Sequence, residues 1–102
     1  MNWYNYIACF FSGVFFSNFI PHFVNGISGN KFPTPFAKPP GKGLSSPTLN
    51  VLWGMFNLII SAVLIWCGKV STNNYFSIIV MFSGFFVASV LISRSASKKH
   101  EE

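Results

Sequence analysis

Three stretches of this chain carry no charged side chain, and each is long enough to cross a membrane. They cover residues 3–26, 48–67 and 75–93. A helix rises about 1.5 Å per residue, so about 20 apolar residues span a hydrocarbon core of about 30 Å. In such a core every backbone N–H and C=O must be satisfied within the segment, which leaves the helix as the form open to an isolated apolar stretch. A soluble domain of 102 residues would need polar outer faces, and residues 58–66 and 82–92 have almost none. The sequence therefore predicts an all-α membrane protein, one integral membrane domain over residues 1–102 with three transmembrane helices. The first stretch lacks a basic head and an A-x-A-like cleavage site, so it reads as a retained span.

The segments between the spans differ in kind. Residues 28–47 read SGNKFPTPFAKPPGKGLSSP and form a Pro/Gly-rich basic loop. Its five prolines forbid a regular helix and favour an extended course. Gly41 and Gly43 permit tight turning. Phe32 and Phe36 are expected at the level of the lipid headgroups. The loop is either a basic linker attracted to anionic lipid or a restrained segment folded over the mouth of the bundle. Residues 68–74 are short and polar and make the second and third spans an antiparallel hairpin. Residues 94–102 form a charged tail, expected to fray.

Basic residues set the expected orientation. Three spans put the 28–47 loop and the tail on one side, with Lys31, Lys38, Lys42, Arg94, Lys98 and Lys99, against Lys69 on the other. The loop and C-terminus are expected in the cytoplasm and the N-terminus outside, in a plasma or bacterial inner membrane. Trp3, Tyr4, Tyr6, Trp66 and Tyr75 then mark the outer interface, and Trp53 lies near the inner end of span two.

Several chemistries fall away on composition. There is no Asp, and the only two Glu are the last two residues. An acidic dyad, an Asp-based triad and a carboxylate metal cage are excluded. No metal or cofactor is expected, since His22 has only His100, in the tail, as a fellow histidine. The GKG at residues 41–43 lacks the Ser/Thr and the strand–helix setting of a phosphate loop. Three lysines among prolines make no nucleic-acid surface, and their expected partner is anionic lipid at the cytoplasmic face.

The polar residues inside the spans form stripes. Asn18, His22 and Asn25 share one face of span one, and Asn50, Gly54, Asn57 and Ser61 share one face of span two. Antiparallel neighbours have a nearly constant index sum. One register pairs Asn18 with Asn57 and Asn25 with Asn50, and sets His22 opposite Gly54. Facing lipid these groups would lack partners, so the stripes should face protein. They are read as interhelical hydrogen bonds or as a polar site. On this wheel Cys9 faces away, which argues against a Cys9–Cys67 disulfide. In span three Ser77, Met81, Gly84 and Ala88 align, and Gly84-x-x-x-Ala88 allows close helix approach, within the bundle or between copies.

The function expected from these features is a non-catalytic interaction or accessory subunit, with a membrane-protein partner or a homo-oligomer. Its polar site lies at the cytoplasmic end: His22, Asn18, Asn25, Asn50 and Asn57 within the spans, and Lys31, Lys38 and Lys42 above. An oligomeric transporter or channel using His22 and the asparagines is the alternative. A membrane enzyme acting on lipid headgroups lacks a second catalytic group.

Overall fold

The computed structural model describes residues 1–40 and 42–101 and is all-helical. Helix α1 covers Trp3–Ile27, α2 covers Pro47–Cys67 and α3 covers Tyr75–Glu101. All three are long and apolar enough to span a membrane. The molecule is 43 Å long, close to the about 40–45 Å of a bilayer with its headgroups. Gly41 and Glu102, and the side chains of residues 98–101, lie outside the description, so the turn expected at Gly41 does too.

Local chemistry sets the helix ends. Pro47 opens α2 behind Ser46, whose hydroxyl accepts from the Leu49 N–H at 3.2 Å. α1 closes through Gly29 at φ 76°, with the Asn30 N–H on the Asn25 carbonyl at 2.8 Å. α2 closes in the same pattern, with Val70 N–H on the Ile65 carbonyl at 3.2 Å, but Lys69 takes the left-handed position at φ 54°. α3 continues past Ser93 to Glu101, where the sequence reading placed a frayed tail. No glycine or proline follows Gly84, so no stop signal ends the helix at the membrane surface.

α1 is the centre of the bundle. α2 and α3 both pack on it, and among the described residues no Cα of one lies within 8 Å of a Cα of the other. The hairpin expected of spans two and three is therefore a chain connection without close backbone packing. The reason lies in the number of non-lipid faces. α2 has one stripe, with Asn50, Gly54, Asn57 and Ser61 all buried, and α3 has one, with Ser77, Gly84 and Ala88 buried. α1 has two adjacent lines. Asn5, Cys9, Ser12, Phe19, Phe23 and Gly26 face α2, while Tyr6, Phe10, Gly13 and Ser17 face α3. Both follow the 4-3 spacing of a seam with a 3.5-residue period.

The interior is polar and small, and the exterior is large and apolar. The buried side chains of the helices are Asn, Ser, Cys, Ala and one His. Phe56, Ile59, Val63, Phe82, Phe86 and Leu91 are exposed on α2 and α3. This inverts the soluble pattern and suits a surround in which lipid is as apolar as leucine, so that helices meet through small residues and hydrogen bonds.

The α1–α3 crossing is closest at two glycines. A Cβ on Gly84 would overlap the Phe10 carbonyl, and one on Gly13 would overlap that of Met81. Gly84 and Ala88 thus serve packing within the chain. Beside them the Ser17 and Ser89 hydroxyls are 2.8 Å apart. At the end of the bundle away from the loop, α1 side chains take up the last carbonyls of α2. Asn5 Nδ2 donates to the Cys67 carbonyl at 2.9 Å and Cys9 Sγ–H to that of Gly68 at 3.3 Å. Cys9 is fully buried against α2, contrary to the expectation that it faces away. The contact line on α1 is offset from the Asn18 stripe, and Cys9 lies on it. Cys9 and Cys67 are both free thiols.

Candidate functional site

His22 and Asn50 meet at the end of the bundle that carries the 28–47 loop. Asn50, on the first turns of α2, is fully buried and is the hub. Its Nδ2 lies 2.9 Å from the Phe32 carbonyl, 3.2 Å from that of Ser45 and 3.0 Å from that of Ser46. Carbonyls only accept, so the amide group of Asn50 must point at them and Oδ1 must point the other way. Oδ1 is 2.8 Å from His22 Nδ1. That ring nitrogen therefore carries the proton and donates. One side chain thus ties α1, α2 and both ends of the loop together.

The loop is built around this tie. Phe32 and Ser45 pair backbone to backbone, at 3.3 and 3.0 Å, and close the loop at its base. The Thr34 and Ser45 hydroxyls are bonded to each other, and Thr34, Ala37 and Ser45 are buried. Phe32 stands edge-on to the His22 ring with centroids 5.3 Å apart. Phe36 stands edge-on to Trp53 at 5.1 Å and remains 61% exposed. The loop is thus pinned at its base on Asn50, and of its two phenylalanines Phe36 is the more exposed.

The register expected between the first two spans holds in part. Asn18 Nδ2 donates to Asn57 Oδ1 at 3.0 Å, and Asn57 Nδ2 donates back to the Trp53 carbonyl at 2.7 Å. Ser61 donates to the Ser12 carbonyl at 2.8 Å. His22 does not face Gly54. A Cβ on Gly54 would lie 3.1–3.3 Å from Phe19 and Phe23 atoms of α1, so the imidazole has no room there and sits one turn nearer the loop, on Asn50. Asn25 does not reach Asn50. It bonds to the Pro21 carbonyl of its own helix at 2.7 Å, and Gly26 makes the close approach to α2 in its place, where an added Cβ would lie only 2.7 Å from the Pro47 carbonyl oxygen. Lys31, Lys38 and Lys42 are exposed around the loop. They surround the cluster and do not enter it.

Two features escaped the sequence reading. One is a cavity of about 210 Å³ under the loop, walled by Asn18, His22 and Trp53, by residues 32–35, and by Ile92 and Ser95 of α3. It shares Asn18 and Ile92 with an apolar groove of about 240 Å³ between α1, α2 and α3, where Phe15, Ala88 and Leu91 stand. The other is the Trp53 Nε1–H, which is buried without a hydrogen-bond partner among the described residues. Trp53 was readable only as an interfacial aromatic, because its surroundings come from a loop some twenty residues earlier.

Comparison with protein-family models, with curated proteins and with solved structures gave no match, so the site is read from its own geometry. Fold and site together define a class: a small all-helical protein whose three apolar helices fit a membrane, with a polar cluster at one end. Within that class its particular mark is the ordered basic loop fastened by Asn50.

Proposed function

We propose that the protein is a non-catalytic accessory subunit of the plasma or bacterial inner membrane. Its loop end faces the cytoplasm and engages a membrane-protein partner and anionic lipid. The observation that carries this reading is the fourfold tie of Asn50, which commits the intramembrane polar groups to holding one loop shape. A fixed loop with three exposed lysines and Phe36 is preorganised for binding, because little entropy remains to be lost on contact. The orientation rests on the six-to-one distribution of basic residues between the two sides.

Purification in mild detergent tests it. The tagged protein should bring down a stoichiometric membrane-protein partner. Lys31→Gln/Lys38→Gln/Lys42→Gln should lose that partner at equal expression, and Lys69→Gln should keep it. Loss confined to Lys69→Gln, or a protein that runs alone throughout, would reject the reading.

A further inference from the structure

The cavity under the loop and the groove beside it share two lining residues, Asn18 and Ile92. Among the aromatic rings and prolines of the cavity wall stand an amide, an imidazole and a hydroxyl, those of Asn18, His22 and Ser95. The groove is apolar, with Phe15, Ala88 and Leu91 along it. The groove lies within the membrane-length part of the helices, and the cavity lies where the loop begins. A mostly apolar cavity that carries a few polar groups, set beside an apolar groove, suits an amphiphile: head in one, chain in the other.

One further observation narrows the ligand, and Trp53 on the cavity wall supplies a reporter for it. Lys31 and Arg94, exposed neighbours in the chain of the lining residues Phe32 and Ser95, and the exposed Lys38 and Lys42 of the loop give this end a positive charge, and the chain has no acidic residue before Glu101.

We propose that this composite site binds one anionic phospholipid, its head group in the cavity under the loop and one acyl chain in the groove between α1, α2 and α3. The proposal rests on the loop-end site of the preceding reading but not on the protein partner named there. The lipid would also fill the space left because α2 and α3 do not pack closely on each other at this level.

Trp53 supplies the measurement. With Trp3→Phe and Trp66→Phe, both exposed positions, Trp53 is the only tryptophan. The purified protein is placed in phosphatidylcholine nanodiscs, and phosphatidylglycerol or phosphatidylcholine with brominated chains is added in separate arms. Brominated phosphatidylglycerol should quench Trp53 saturably, with an apparent preference over brominated phosphatidylcholine of at least about fivefold, the factor that one lysine near an anionic surface contributes. Ile92→Phe, at the junction of cavity and groove, should abolish the preference, and so should Ser95→Phe from the exposed side of the cavity. An Asn18–Asn57 cysteine crosslink shows that each variant is folded, in the native-cysteine-free background.

Equal quenching by the two lipids overturns the proposal and leaves ordinary surrounding lipid. A preference that survives both blocking variants overturns the groove. A saturable emission change with inorganic phosphate alone, in detergent, overturns the lipid in favour of a free anion. Because no partner is present in these measurements, selective quenching without a partner sinks only the subunit reading, and a partner without selective quenching sinks only the lipid site.

Discussion

α1 meets its two neighbours by opposite means. Toward α2 it offers side chains that reach across: Asn18 to Asn57, His22 to Asn50, and Asn5 and Cys9 to the last carbonyls of α2. Toward α3 the closest approach is made without side chains, Gly13 of α1 and Gly84 of α3 letting backbone lie on backbone, with one hydroxyl pair, Ser17 and Ser89, beside them. The α3 serines turn inward on their own helix. Ser77, Ser83 and Ser89 donate to the carbonyls of Asn74, Ile79 and Phe85. One interface is held by hydrogen bonds whose loss leaves polar groups bare in an apolar surround. The other is held by dispersion at short range, which tolerates the loss of a bond and not the addition of a methyl group.

The largest expected effect comes from adding volume at the α3 crossing. Gly84→Leu should cost about 3 kcal/mol, the upper part of the range for overpacking, because the obstacle is the Phe10 backbone and not a side chain that can turn away. A disulfide crosslink between Ser17→Cys and Ser89→Cys should be lost while one between Asn18→Cys and Asn57→Cys persists. Loss of both would show that the two interfaces are not independent.

Removing the hub is next. Asn50→Leu should cost about 2 kcal/mol, since it strips the Phe32 and Ser45 carbonyls and the His22 N–H of a common partner. Hydrogen exchange at residues 32–45 and protease cleavage of the loop should rise sharply, with the Ser17–Ser89 crosslink unchanged. A loop as protected as the native one would dissolve the tie inferred here.

Asn18→Leu removes one interhelical amide bond and should cost about 1 kcal/mol in a denaturing detergent titration. Ser17→Ala should cost least, about 0.5 kcal/mol, because the contact it leaves is made by glycine and backbone. If Ser17→Ala proves the costlier of the two, the contrast between the interfaces fails.

The span boundaries were legible because the apolar runs end where Ser46-Pro47 and Gly68 stand. The α2 stripe was legible because Asn50, Gly54, Asn57 and Ser61 fall at 4-3-4 spacing on an otherwise apolar helix, and the Asn18–Asn57 pairing followed from it. α1 was harder. Its α2-facing line passes through Phe19 and Phe23, so polarity traced only the edge of the interface, at Asn18 and His22, and misdirected Asn25 and Cys9. A search for 3.5-residue spacing among small and polar residues would have found Asn5, Cys9 and Ser12 beside Gly13 and Ser17. The fastening of the loop was not legible at all. It depends on carbonyls of Phe32 and Ser45, and a carbonyl carries no signature in the sequence.

The central position of α1 also sets an order of biogenesis. Chains emerge N-terminus first, so α1 is made with Asn18 and His22 still lacking their partners on α2. The next helix to arrive is the one that bears Asn57 and Asn50. α3 comes last, needs no partner for its own hydroxyls, and closes onto a pair already formed. A nascent chain halted after Gly68 would hold every hydrogen bond described here between α1 and α2, whereas α2 and α3 made without α1 would lack the helix on which both pack.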